Sequence, residues 1–434
     1  MIIFYLLVSV MPFVRHPFWS LFIGSLTIVK IAGLICVGYA LLYSNVRRTR
    51  PDYFRTWQAR LSVLLCVMGM ASYVIIGSRV PFEVSPFLSY VSFLMFFYVT
   101  LNVVDSASRL RWVMLVAAGS MAYASIHVLR EWQNSGFDYG YRPGWVTGDP
   151  NYFSLSALLG LPFAFYLMRT RQPTWERNVC IGCLGLTLVG FALAASRGGL
   201  LGLAASVMVV AWRSKHRIKV MAAAVALLIP LMVFSPSSPI GRLLNPTYSD
   251  RDSSDSRLLL WTAGLKMMRQ HPFTGVGVGN YKQALDTVLA PGTSTRFSVA
   301  HNTYIQVGAE LGIVGLAVFV GIILMTLRST QRIRRAARRA RVPLIGQAAE
   351  AIQVGLVGFS VSITFVSAEY HKFFWLVVFL TCCLPALLRP KHAGGPWWAR
   401  RTPRGASAPP VAAPPGGPAG DSERAPGPVG SPSP

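Results

Sequence analysis

Charge is what this chain has least of. Only 13% of its 434 residues are charged and 16 are acidic, where an ordinary soluble domain carries about 25% charged residues. The acids are scattered, which excludes a crowded carboxylate site. Cysteine is scarce too, with six in all. Cys36, Cys66, Cys382 and Cys383 fall inside apolar runs, and Cys180-x-x-Cys183 lies in an apolar helix, not beside the strand of a redox unit. These thiols read as small hydrophobic packing groups. The N-terminus lacks the basic n-region of a cleavable signal peptide.

Apolar sequence fills the space. Hydrophobic residues make up 53% of the chain, and the mean hydropathy is +0.46. Apolar runs of about 18 residues or more recur, each long enough to cross a bilayer. Spanning segments must satisfy their own backbone hydrogen bonds, so helices are expected. The fold class is an all-α polytopic membrane protein with about 11–12 transmembrane helices. The runs are 18–43, 61–78, 87–104, 112–128, 152–168, 179–195, 200–212, 218–234, 304–327, 351–367 and 373–388. Residues 1–11 are apolar but short, a first helix or a re-entrant piece.

Basic residues orient the spans. The formal charge of +25 would suit nucleic acid, but the excess sits in short loops, as membrane orientation requires, and no nucleic-acid partner is expected. Alternate loops hold Arg47, Arg48, Arg50, Arg55 and Arg60, then Arg109 and Arg111, Arg169, Arg171 and Arg177, Arg213 to Lys219, and the run Arg328 to Arg341. These loops are expected inside. Arg79, Arg130, Arg142, Arg197, the polar loop 235–300 and Glu369 then face outward. Arg328, Arg332, Arg335 and Arg339 share one helical face, which suits anionic membrane lipid. The expected organisation is N-terminal spans over 1–147, a core over 148–327, a basic loop with the last two spans over 328–388, and a Pro/Gly/Ala-rich tail over 389–434.

The polar stretch from Asp250 to Gly315 breaks this pattern. Asp252, Ser253, Ser254 and Asp255 offer helix-capping oxygens, and Pro272 ends a helix, which predicts an amphipathic helix over 255–270 at the outer interface. Leu258, Trp261, Leu265 and Met268 would form its apolar face. Asp250-x-Asp252 resembles a metal-binding pair, although a capping cluster is the commoner cause of such a pattern. Gly275-x-Gly277-x-Gly279 has neither the strand nor the spacing of a dinucleotide fingerprint and reads as a turn. Gly308 and Gly312, like Gly198, Gly199 and Gly202, allow close helix approach.

Three ionisable residues stand out. His301 sits just before a span, where it can cap, pack or transfer protons. Glu310 lies nine residues further along, about 13 Å deeper at 1.5 Å per residue, and an intramembrane carboxylate suggests function. Arg197 is pinned in a tight turn, Ser196-Arg197-Gly198-Gly199, suited either to headgroup contact or to bidentate phosphate binding, and Arg257 can join it from the interfacial helix.

The SRGG turn, Arg257 with Trp261 ahead of His271-Pro272, the Gly-x-Gly run, His301-Asn302 followed by Gly312-x-x-Gly315, and Gly148-Asp149-Pro150-Asn151 before a span together resemble the bacterial O-antigen ligase / O-antigen polymerase (Wzy-type) superfamily, over about 148–315. The resemblance implies a GT-C-type membrane glycosyltransferase in the bacterial inner membrane. It would take an undecaprenyl-pyrophosphate-linked glycan at the periplasmic face and pass it to a glycan or lipid A core acceptor. Carried over, Arg197 and Arg257 would bind the pyrophosphate and His301 would serve as catalytic base, with Asn302 and Glu310 as possible accessory residues. No cofactor is implied and no metal residue is assigned, since permanent arginine charge can stabilise a leaving pyrophosphate. The alternative is a transporter or flippase for lipid-linked glycan. A transporter should carry ionisable groups at mid-membrane in several spans, and only Lys30 and Glu310 qualify.

Overall fold

The computed structural model describes the chain apart from residues 14–21, 24–25, 47–50, 79, 81, 83–84, 139–140, 171–172, 234–247, 291–298 and 389–434. The expected tail and much of the polar loop therefore lie outside the described residues. The rest is helical, apart from one antiparallel pair of two-residue strands, β1 (Phe22–Ile23) and β2 (Leu26–Thr27). The helices are α1 (Ile2–Val10), α2 (Ile28–Val46), α3 (Trp57–Ile75), α4 (Pro86–Val103), α5 (Ala107–Asn134), α6 (Pro150–Leu167), α7 (Thr174–Leu193), α8 (Arg197–Arg213), α9 (Arg217–Val233), α10 (Tyr248–Gln270), α11 (Tyr281–Val288), α12 (Thr303–Arg339), α13 (Pro343–Ser362) and α14 (Lys372–Leu387).

Six of them, α3, α4, α5, α7, α12 and α13, are long and apolar enough to cross a membrane, so the protein is a multi-pass membrane protein. The larger count expected from hydropathy includes shorter helices. One of these, α14, is shielded by protein: every residue from Phe373 to Thr381 is buried. α6 is similarly enclosed along nearly its whole length.

Small residues bring α6, α8 and α13 together. A Cβ on Gly202 would stand 2.5 Å from the Gly358 carbonyl oxygen, and one on Gly355 would stand 3.0 Å from that of Leu158. Ser206 donates to the Val354 carbonyl at 3.1 Å. With little hydrophobic drive between helices in lipid, such close packing and interhelical hydrogen bonds hold the bundle. All six cysteines are free, with Cys180 and Cys183 buried in α7.

α12 is broken near its start. Gly312 has φ 69° and ψ −175°, a region essentially reserved for glycine. The break frees the Ala309 carbonyl, which an unbroken helix would pair with the Ile313 amide. Val276 N–H donates to it at 2.9 Å, Gly277 N–H donates to the Glu310 carbonyl at 3.1 Å, and Ile313 N–H turns to the Pro272 carbonyl at 2.7 Å. The loop can lie this close because Gly275 has no side chain: a Cβ there would sit 2.3 Å from the Glu310 carbonyl carbon. Gly275, Gly277 and Gly279 all have positive φ, so the Gly-x-Gly run is a turn moulded onto the break. Gly312→Ala is expected to lower the thermal unfolding midpoint in detergent, at a backbone cost of about 1–3 kcal/mol. An unchanged midpoint would show that the break tolerates a side chain.

α10 departs from expectation in extent and face. It begins at Tyr248, so Asp252 to Asp255 lie within it and not before it. Leu260, Ala263 and Met267 are buried, joining Tyr281, Leu285, Ala300 and Ala309 in a small core. Leu258 and Leu265, on the opposite side, are exposed. The helix is apolar on two sides. Gly264 decides which side docks, because a Cβ there would stand 2.4 Å from Ile305 of α12.

Candidate active site

One end of the bundle gathers polar side chains from four connections and α10. Its foundation is the start of α6. Asp149 caps that helix, accepting from the Asn151 amide at 2.6 Å and the Tyr152 amide at 3.2 Å, and Pro150 occupies the first helical position, where its missing N–H costs nothing. Asn151 is thereby fixed. Its Oδ1 accepts from Ser196 Oγ at 2.9 Å and from Arg142 Nη2 at 3.3 Å.

Ser196 is also the cap of α8, accepting from the Gly199 amide at 3.1 Å. The turn between α7 and α8 is tight, with Ala195 at φ 48°. Gly198 and Gly199 seat it: added Cβ atoms would stand 3.1 Å from Phe365 and 2.7 Å from Ser154. Arg197 is therefore held at the first position of α8, where the helix dipole adds positive potential to the guanidinium. Arg142 binds the same turn, donating to the Ala194 carbonyl at 3.2 Å, while Glu131 Oε2 holds the Arg142 loop by accepting from the Gly144 amide at 2.6 Å.

Arg257 arrives from α10. Trp261, one turn along, donates from its indole to the Ala300 carbonyl at 3.0 Å and lies 6.5 Å from the Phe365 ring. A cavity of about 50 Å³ results, lined by Arg142, Asn151, Ala195, Arg197, Gly198, Arg257, Phe365 and Val366. Three guanidinium groups converge on it, a suitable lining for a diphosphate.

His301 stands beside this cluster in the left-handed region, with φ 49°. The backbone around it is tied down on both sides. Ala300 N–H donates to Gln306 Oε1 at 2.8 Å, and Asn302 caps α12 through the Tyr304 and Ile305 amides. Thr303 bonds the 363–371 connection, donating from its hydroxyl to the Val366 carbonyl at 2.7 Å and accepting from the Ala368 amide at 2.9 Å. Burial lowers the pKa of His301 to about 4; the Arg257 charge pushes the same way and Asp149 opposes it. The imidazole is neutral at physiological pH and able to accept a proton.

The expected site residues thus fall into two groups. Arg197, Arg257 and His301 stand together. Asn302 serves its helix as a cap, and Glu310 lies deeper and buried, accepting from Gln306 Nε2 at 2.6 Å. Arg142 and the 363–371 connection are additions that sequence reasoning missed. Hydropathy extended the preceding span to residue 367, whereas α13 ends at Ser362. The signal for Arg142 was its place seven residues before the Asp149 cap, in a loop otherwise poor in basic side chains.

No curated protein matches the chain. Residues 182–320 match the family model described as O-Antigen ligase. The match includes Arg197, Arg257 and His301 and leaves Arg142, Asn151, Phe365 and Val366 outside it. The stretch that builds α8, α10 and the His301 turn is therefore similar to the O-antigen ligase family.

Proposed function

We propose that this protein transfers a glycan from undecaprenyl pyrophosphate to an acceptor hydroxyl at the periplasmic face of the bacterial inner membrane. The observation that carries the reading is the convergence of Arg142, Arg197 and Arg257 on one cavity beside a neutral His301. In the reaction the acceptor oxygen bonds to the anomeric carbon, and the bond from that carbon to the diphosphate oxygen breaks. The electron pair leaves with the diphosphate, and the hydroxyl proton passes to a ring nitrogen of His301. Arg197 and Arg257 meet the charge that develops on the leaving group, and fixed cations in a water-poor site stabilise it without reorganising. Arg142, tied to Asn151 and Ala194, keeps the two halves of the cation cluster in register. The outward placement rests on the basic loops, which crowd at the other end of these helices.

The direct test incubates purified protein with lipid-pyrophosphate glycan and, separately, lipid A core or a second lipid-linked glycan. Extension of the first acceptor assigns a ligase and of the second a polymerase. Movement of the intact donor across the bilayer, with neither acceptor extended, would replace transfer with transport.

Turnover is expected to survive excess EDTA, because the arginines supply the charge a divalent cation would otherwise bring to the phosphates. The side chains of Asp250 and Asp252 fall outside the described residues. Loss of activity with EDTA and its return with Mg²⁺ would transfer the phosphate role to that Asp-x-Asp pair.

A further inference from the structure

At the other end of the bundle, where α12 gives way to α13, lies a second and larger cavity of about 500 Å³. α8 alone spans 17 residues between Arg197 and this end, about 25 Å at 1.5 Å per residue. The cavity is lined by Arg334, Arg338, Arg341, Gln347 and Glu350, with Val342, Pro343 and Gly346 at the start of α13. Three guanidinium groups face one carboxylate. Glu350 Oε1 is shared between Arg338 at 3.2 Å and Arg334 at 3.7 Å, so two positive charges remain over. Arg213, at the end of α8, adds to the same field, with Arg334, Arg338 and Glu350 as its electrostatic neighbours.

Three further observations indicate that the excess serves a ligand. First, Nε of Arg334 and Nη1 of Arg213 are buried with no hydrogen-bond partner among the described residues, an arrangement that costs stability unless something accepts from them. Second, α13 starts with no side-chain cap, leaving N–H groups and the positive end of its dipole toward the cavity wall. Third, Arg341 has φ 55°. It occupies the position after the α12 cap, where the Val342 amide bonds back to the Ala337 carbonyl at 3.0 Å and the Arg341 amide to that of Arg338 at 3.4 Å. This helix ending normally takes glycine, which adopts the left-handed conformation without strain. An arginine there accepts a conformational cost that the fold does not require.

These residues are not the exposed stripe of Arg328, Arg332, Arg335 and Arg339, which lies on another face of α12. We propose that the cavity binds a phosphate-bearing group with at least two negative charges, carried either by the headgroup of an anionic phospholipid or by a soluble phosphate compound. Its volume falls within the usual range for small-ligand sites, about 300–1,000 Å³, and basic pockets between membrane helices are suited to phosphate headgroups.

The full-length protein in nanodiscs tests this. One arm compares phosphatidylcholine discs with discs containing cardiolipin. The other titrates inorganic pyrophosphate into phosphatidylcholine discs. Both read the thermal midpoint of wild type, Arg334→Gln and Arg341→Gly. The wild type is expected to gain stability in at least one arm. Each variant should bind the anion about tenfold more weakly, the usual weight of one charged hydrogen bond. Arg341→Gly should melt no lower than wild type without anion, since glycine fits φ 55°, which separates lost binding from lost folding. A response in the cardiolipin arm alone assigns the lipid source, and one in the pyrophosphate arm alone assigns the soluble source. Arg197 and Arg257 are intact in all three proteins, so binding at the opposite end cannot produce a difference between them. Equal responses in wild type and both variants, or no response in either arm, would overturn the proposal.

Discussion

Replacing His301 with Ala is expected to abolish transfer while the protein still inserts and folds. The substitution leaves the helix start in place: Asn302 caps α12 and Gln306 accepts from the Ala300 amide. His301→Asn is the sharper variant, because Asn tolerates the left-handed conformation at φ 49° but cannot act as a base near neutral pH. Purified His301→Asn with near-normal turnover would remove the imidazole from the mechanism. The pH profile carries a second signature. A pKa lowered to about 4 means that the base stays available as pH falls through the ordinary histidine range and is lost only as pH falls through that lower value. The acid limb of kcat/KM, which reports the free enzyme, should therefore lie well below 6.5, the ordinary histidine value. A bound pyrophosphate adds negative charge beside the ring and raises its pKa, so the limb in kcat should lie higher. Arg257→Gln removes a cation that disfavours protonation, and it should move the free-enzyme limb upward.

Arg197→Gln should be nearly as damaging. Removing one preorganised charge-stabilising group from a site of this kind costs about 10²–10³ in kcat. The cap that Ser196 provides through the Gly199 amide survives the change, so the loss should appear in turnover with little shift in the thermal midpoint. Arg197→Lys should recover only part of it, because a single ammonium cannot reproduce the guanidinium fork. Turnover within twofold of wild type in the Gln variant would place the diphosphate elsewhere and leave Arg197 as a headgroup contact.

The site was legible where short motifs imposed local geometry. Ser196-Arg197-Gly198-Gly199 names its own helix cap and its own close contacts. His301-Asn302 likewise combines a cap with a ring at a span's mouth. Arg142 was marked only by its place before the Asp149 cap, because its partners, Asn151 and the Ala194 carbonyl, are brought to it by packing. Hydropathy could not separate Phe365 and Val366 from the span before them, since an apolar side chain in a cavity wall scores like one in a helix. In the early chain the expected span 18–43 became an antiparallel pair followed by a helix from Ile28. α10 deceived for another reason. Leu258, Trp261, Leu265 and Met268 form a valid apolar face, but Gly264 opens the opposite one to Ile305, and close approach outweighed surface hydrophobicity.

The break at Gly312 also constrains how the protein is made. Until the Gly-x-Gly turn is seated, the Ala309 and Glu310 carbonyls and the Ile313 amide lack the partners they have in the finished fold. Each such group left unpaired in hydrocarbon costs several kcal/mol. α12 in its broken form should therefore be poorly tolerated in lipid without the turn, despite its high hydropathy. Chain order offers the remedy: residues 272–277 leave the ribosome before residues 309–313, so the turn can be in place when the broken helix arrives. Truncations ending soon after residue 339 should integrate, whereas variants lacking 272–277 should be retained by the insertion machinery and degraded. On this reasoning the polar loop is a template for the helix that follows it, and biogenesis runs through placement of a polar segment before the chain's most apolar span is released to lipid.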